Sequence, residues 1–226
     1  MSLRSEAIKH YIASMGLLSL LCIGLLCYRA AVTGTTRYWF IPENLALAWV
    51  GLGFGWILCE QLRIRRWLSW QNVLLSLAWL FFLPNTWYVL TDFIHVYPTG
   101  EISELFDIVL ISTLVLNGFV LGFTSLYLLH REFLKRLSKE KSWLLIELVI
   151  LLSSFAIYMG RVLRWSSWDL VSNTSGLIIN VSDRVTDPLG NPHALDMTGL
   201  FFVLLSVSYL AFWQGLMVFK ASKSDR

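Results

Sequence analysis

The sequence has few charged residues for its length, since Lys, Arg, Asp and Glu together make up 15% of its 226 residues. A soluble domain has about 25% charged and roughly 45–50% apolar residues. In this chain the apolar share is 56%. The shortage of charge argues against an ordinary soluble domain. The net charge of +3 is spread over short loops and gives no support to nucleic-acid binding.

Cysteine and histidine are scarce as well. Cys22, Cys27 and Cys59 lie in apolar stretches without metal-type spacing, which predicts neither a disulfide framework nor a zinc motif. The sequence has no P-loop, no dinucleotide-binding glycine pattern and no H-E-x-x-H motif. It also has no G-x-S-x-G elbow, so nothing supports nucleotide, zincin or serine-nucleophile chemistry.

Apolar residues are concentrated in six segments, each near the ~20 residues that an α-helix needs to cross a hydrocarbon core. These are residues 10–30, 44–62, 70–91, 106–129, 142–160 and 196–219. The first apolar run is longer than a signal-peptide core of about 7–15 residues and no A-x-A site follows it, so we expect a retained helix. The predicted fold class is all-α: a single transmembrane domain of six helices embedded in a lipid bilayer.

The loops differ in basic charge. If the chain crosses the membrane six times, 13 of the 18 Lys and Arg residues lie on one side. They are in the two tails and in the second and fourth connections. On the other side, the connection over residues 92–105 contains no Lys or Arg. The positive-inside rule therefore predicts that both termini are cytoplasmic.

A polar run closes the third segment at its predicted outer end. Four of its polar side chains are Asn85, Tyr88, Asp92 and His95. At 100° per residue they fall within an arc of about 80°, and Pro84 should bend the helix just before them. Polar groups in a membrane segment are costly and are functional candidates by default. We therefore predict ligand contacts here, with Asp92 and His95 as the acid–base pair.

A second polar run leaves the fifth segment. If the helix continues, Arg161, Arg164 and Trp168 share a face close to Asp169. Two guanidinium groups one turn apart need anions, which are either carboxylates of the bundle or the phosphate of a lipid or a substrate. A structural role stays open, because arginines at helix ends also reach headgroup phosphates and fix helix depth.

Further polar residues open helices on the same side, among them Asn44 and Asp107. Together with the two runs they predict an outward-facing polar cup. A divalent metal held by Asp92, His95, Asp107 and His193 is a minority interpretation. A hydrogen-bonded structural network is preferred.

These runs resemble a known family. The run Pro84-Asn85-x-x-Tyr88-x-x-Thr91-Asp92 resembles a signature of an uncharacterised bacterial membrane-protein family, domain of unknown function 1361. Gly160-Arg161-x-x-Arg164-Trp165-x-Ser167-Trp168-Asp169 is similar to its second signature, and Asn44-Leu45-x-Leu47-Ala48 to a weaker third. The resemblance covers residues of about 35 to 215. It implies a multi-pass protein of the bacterial cytoplasmic membrane and no particular reaction.

Three classes of function stay open. The polar cup binds a lipid-linked or phosphorylated small molecule, with or without catalysis. Alternatively, the chain is a small-solute transporter or channel, or an accessory subunit of a membrane complex. Transporters usually have broken helices near the midplane and internal repeats. This sequence concentrates polarity at one interface and shows no repeat, which favours binding or catalysis.

Overall fold

The computed structural model describes residues 3–165, 174–187 and 190–224, and within these ranges it is helical and has no strand. The helices are α1 (Leu3–Thr33), α2 (Phe40–Gln61), α3 (Trp70–Phe82), α4 (Asn85–Tyr88), a 3₁₀ helix (Val89–His95), α5 (Glu104–Leu134), α6 (Lys139–Val162), α7 (Thr174–Thr186) and α8 (Pro192–Ser224).

Six helical stretches are long and apolar enough to cross a membrane, which confirms the predicted fold class. They overlap the six predicted segments, and the third comprises α3, α4 and the 3₁₀ helix. Successive stretches run antiparallel. We call the side where α1 begins and α8 ends the terminal side. The side where α1 and α6 end and α2 and α5 begin is the loop side.

Helix α5 is the centre of the bundle. Half of its most apolar window (50%) is buried, against 11% for the first and last spans, so the other helices pack around it. It contacts α1, α2, α4, α6 and α8. The outward faces of α1 and α8 expose apolar side chains such as Leu20 and Val207. Lipid chains would cover these faces in a bilayer.

The third stretch is interrupted at Pro84. Proline lacks an N–H and clashes with the carbonyl one turn earlier, so α3 ends at Phe82. The Asn85 side-chain amide donates to the carbonyl oxygen of Phe82 at 3.2 Å. The chain then continues as one α turn and a 3₁₀ helix, in place of the regular helical face predicted from the sequence. At three residues per turn, Asp92 and His95 lie one above the other.

Glycines let this interrupted segment lie close to both α2 and α5. A Cβ atom at Gly118 or Gly122 of α5 would overlap Thr86, and one at Gly51 of α2 would be 3.2 Å from the methyl group of the same threonine. Small residues let helix backbones approach closely in lipid. Gly51, Gly118 and Gly122 face Thr86 in the segment after Pro84, whereas Gly55 faces Trp79 and Ser125. The contacts of Thr86 set where the following polar residues lie.

The contact at Gly118 predicts a stability difference. In Gly118→Ala the new methyl group meets the backbone carbonyl of Thr86, which cannot rotate away, so we expect a loss of about 1–3 kcal/mol. Gly53→Ala is the matched control because its Cβ enters open space. Thermal unfolding in one detergent measures both, and equal midpoints for the two variants would contradict this packing.

Candidate functional site

Two buried carboxylates lie on the loop side. Asp92 and Asp107 are each 2% exposed. A buried charge is costly unless it is paired and hydrogen-bonded, so the partners of each define its role. The two residues have different partners, which form two neighbouring clusters.

The Arg29 cluster surrounds a fully buried guanidinium group. Arg29 is 1% exposed, and its Nε and Nη2 donate to the two carboxylate oxygens of Asp107 at 2.7 and 3.2 Å. Nη2 also reaches Glu101 at 3.1 Å. Nη1 donates to the hydroxyl groups of Thr35 at 3.0 Å and Thr33 at 3.5 Å. Every nitrogen of this guanidinium group is thus used within the protein.

Tyr38 joins the Arg29 cluster to the second cluster. Its hydroxyl lies 3.0 Å from Oδ2 of Asp107 and 3.2 Å from the carbonyl oxygen of His95. Burial, together with the hydrogen bond to Asp107, raises the pKa of Tyr38 to about 12. The phenol therefore stays protonated and acts as a donor near neutral pH.

The Arg161 cluster comprises Asn44, Asp92, His95, Arg161 and Arg37. Nδ2 of Asn44 donates to Oδ2 of Asp92 at 2.8 Å. Nη1 of Arg161 lies 3.8 Å from Oδ1 of Asp92. Nη2 of Arg161 lies 3.3 Å from Nε2 of His95. Because arginine only donates, this network assigns Nε2 as the acceptor and places the imidazole proton on Nδ1.

His95 lies between two arginines. Its carbonyl oxygen accepts a hydrogen bond from Nη2 of Arg37 at 2.9 Å, and its ring faces Arg161. The guanidinium carbon of Arg37 is 3.7 Å from the ring centroid of Tyr97. Among the described residues, no carboxylate lies within 4.0 Å of the Arg37 guanidinium group. His95 is therefore flanked by Arg161 at its ring and by Arg37 at its backbone, and among the described residues neither guanidinium group has all its donors used.

Asn44, Asp92, His95 and Arg161 were predicted as site residues, and the structure places them in one cluster. Asp107 is separate, since Arg29 and Tyr38 occupy its oxygens.

Asn85 turns its amide back to α3, and Tyr88 packs against Gly160 at the end of α6. The sequence prediction did not include Arg29, Arg37 or Tyr38 in the site. Arg29 stands at the end of the first apolar run, and Arg37 and Tyr38 stand in the connection that follows it.

The second polar run does not continue as a helix within the described residues. Helix α6 ends at Val162, and Arg164 is exposed with φ = 58°, in the left-handed region that few side chains adopt. The sequence predicted that Arg164 and Arg161 share a helical face. This prediction is wrong, because the helix ends between them. Trp168 and Asp169 lie outside the described residues.

The structure does not bring together the four residues that the sequence offered as metal ligands: Asp92, His95, Asp107 and His193. In the part of the chain that the structure describes, no group of three or more His, Cys, Asp or Glu side chains is arranged to hold a metal ion. The oxygens of Asp107 are bound by Arg29. The ring of His193 lies 6.4 Å from that of Tyr158, on the side of α6 and α8. The guanidinium group of Arg161 lies beside Asp92 and would repel a metal cation bound there.

Comparison with known families gives a match to a family model. It is described as a protein of unknown function (DUF1361) and matches residues 43–208, well over half of the chain. The matched range includes Asn44, Asp92, His95 and Arg161 but begins after Arg29. Neither a search of curated proteins nor one of solved structures gives a significant match.

The buried pair of Arg29 and Asp107 predicts that Arg29 contributes more to stability than Arg37 does. Arg29→Gln leaves the buried Asp107 without its cation, so we expect a loss of about 3–5 kcal/mol in the free energy of unfolding. Arg37→Gln is the control, because this half-buried arginine has no carboxylate partner among the described residues and should cost far less. The double variant Arg29→Gln/Asp107→Asn should recover part of the loss. Denaturant unfolding measures all three, and similar losses for Arg29→Gln and Arg37→Gln would refute the assignment.

Proposed function

The chain belongs to the DUF1361 family of proteins of unknown function, and we propose that it binds a phosphorylated or lipid-linked anion at the Arg161 cluster. Six helical stretches that are long and apolar enough to cross a membrane support a multi-pass membrane protein. The observation that carries the proposal is the contrast between its two arginine–aspartate pairs on the loop side.

Arg29 and Arg161 face different surroundings. Arg29 is fully buried and all its nitrogens are bound within the protein, so no donor remains for a ligand. The side chain of Arg161 is 22% exposed, with one long ion pair to Asp92 and one contact to an imidazole nitrogen. Guanidinium groups bind phosphate through two parallel hydrogen bonds. Arg161 has donors and exposure for such an anion, and Arg37 adds a second cation.

His95 and Asp92 take different parts in this proposal. Nε2 of His95 faces the guanidinium group, where a bound phosphate would lie, so His95 is the candidate for proton transfer if the site is catalytic. Asp92 is 2% exposed and is bound by Asn44. We propose that Asp92 is a positioning residue that holds Arg161 at the mouth of the site.

A transporter or channel is the main alternative, and an accessory subunit is another. The interruption at Pro84 resembles the broken helices of transporters. However, Thr86 after the break is in close contact with Gly118 and Gly122, which leaves no room for a solute at that point. The polar groups are gathered at the loop side instead, which supports binding over transport.

A binding experiment tests the site. Arg161→Gln should weaken binding of inorganic pyrophosphate, or of a polyprenyl phosphate in nanodiscs, by about tenfold or more through loss of a charge-assisted contact. Arg184→Gln is the control on the same side, since Arg184 pairs with Asp183. Isothermal titration calorimetry on the purified protein gives both affinities. Equal binding by the two variants, or no binding of either probe, would count against the proposal and favour an accessory subunit.

We also propose that the chain lies in a bacterial cytoplasmic membrane with both termini in the cytoplasm and the Arg161 cluster facing outward. The support is the excess of Lys and Arg on the terminal side. Reporter fusions after Arg66, Lys139 and Arg226 should be active in the cytoplasm, and a fusion after Gly100 should not. The reverse pattern would invert the topology and place the site inside.

A further inference from the structure

A groove of about 580 Å³ lies on the terminal side, far from the Arg161 cluster. We call it the terminal-side groove. It is formed between α1, α2 and α5, and its lining includes Ile8, Tyr11, Leu52, Trp56, Leu128 and Arg131. Its walls are mainly apolar and aromatic, and its charged side chains are confined to one end.

The length of the groove matches one leaflet of a bilayer. Along α2 and the turn after it the lining extends from Leu52 to Arg63, and along α5 and the residue after it from Thr124 to Lys135. Eleven residues at 1.5 Å each span about 16 Å, close to half of a ~30 Å hydrocarbon core. The groove therefore reaches from the charged end of the helices to about the middle of the membrane.

The deep part of the groove is mainly apolar and aromatic, because the charged residues of its lining lie at the other end. The hydroxyl of Tyr11 donates to that of Thr124 at 2.8 Å, which satisfies both side chains in the wall. Leu52, Trp56 and Leu128 supply the remaining surface there. An acyl chain suits such a wall, whereas a free anion would gain nothing from it.

The rim has a net positive charge, because Arg63, Arg131 and Lys135 line it together with Glu60 and Glu132. Arg63 pairs with Glu60 at 2.7 Å, and Glu132 accepts hydrogen bonds from Lys135 and Arg136. Arg131 is exposed and has no carboxylate within 4.0 Å among the described residues. Its guanidinium carbon lies 5.8 Å from the ring centroid of Tyr127, which places it beside the groove.

We propose that the terminal-side groove binds one anionic glycerophospholipid of the leaflet on that side. Its acyl chain lies along Leu52, Trp56 and Leu128, and its headgroup phosphate binds Arg131. An anionic lipid is preferred over a zwitterionic one because Arg131 is left with uncompensated positive charge. The site is independent of the function proposed above, since it lies at the opposite end of the bundle.

Native mass spectrometry in nanodiscs tests the headgroup contact. The wild-type protein should retain phosphatidylglycerol in preference to phosphatidylcholine, and Arg131→Gln should weaken phosphatidylglycerol binding by about tenfold. Arg65→Gln is the matched control, because Arg65 is exposed on the same side and does not line the groove. Equal retention of the two lipids, or equal effects of the two variants, would overturn the proposal. Release of the lipid by inorganic phosphate would assign the site to a free anion instead.

A second pair of variants tests the acyl contact. Ala7 is exposed and lines the groove, so Ala7→Trp should fill it without disturbing the buried core and should lower lipid retention at least several-fold. Ala13→Trp, at an exposed position of α1 outside the groove, should retain lipid as the wild type does. Unchanged retention in Ala7→Trp would show that the lipid lies elsewhere. A lipid-free dimer that protects the groove would identify a second copy as its occupant.

Discussion

The buried guanidinium group of Arg29 is the constraint on which the loop side of the bundle depends. In a low-dielectric interior each of its donors must be bound, and the partners come from α1, α5 and the chain around residues 99–101. Asp107, held in this way, positions the hydroxyl of Tyr38, which in turn reaches the carbonyl oxygen of His95. The pair that joins α1 to α5 is thereby also connected, through Tyr38, to the backbone of His95 in the candidate site.

The two arginine–aspartate pairs differ in how fully the protein encloses the cation. Both aspartates are buried, so burial of the carboxylate does not separate the pairs. The difference lies in the cation: Arg29 is enclosed and saturated, whereas Arg161 is partly exposed and contacts Asp92 at a distance of 3.8 Å. A buried ion pair is weak evidence of stability by itself, but removal of one partner is costly. The looser arrangement of Arg161 is the one that our proposed anion site requires.

Proline and glycine residues together determine where Asp92, the carboxylate of the Arg161 pair, lies. Pro84 ends α3, and Thr86 then enters the space that Gly51, Gly118 and Gly122 leave open between α2 and α5. The 3₁₀ helix begins directly after this turn and places Asp92 and His95 on the loop side. The two ends of the bundle consequently differ in chemistry: a polar network with few spare donors at one end, and an apolar groove with a basic rim at the other.

The sequence by itself determined the helical class and the number of spans, because both follow from the length and composition of local apolar runs. It also predicted a polar cup at helix ends on one side, and Asn44, Asp92, His95 and Arg161 are the members of that larger set that the structure places in one cluster. It did not determine which charges pair. The sequence prediction grouped Asp107 with Asp92 and assigned no partner to Arg29, whereas the structure pairs Arg29 with Asp107. Only the tertiary structure decided these partners, because pairing depends on which helices become neighbours and at what depth. The change to 3₁₀ geometry at Val89 was likewise not predicted, and it occurs where Thr86 and Val89 pack against Gly118, a residue distant in sequence.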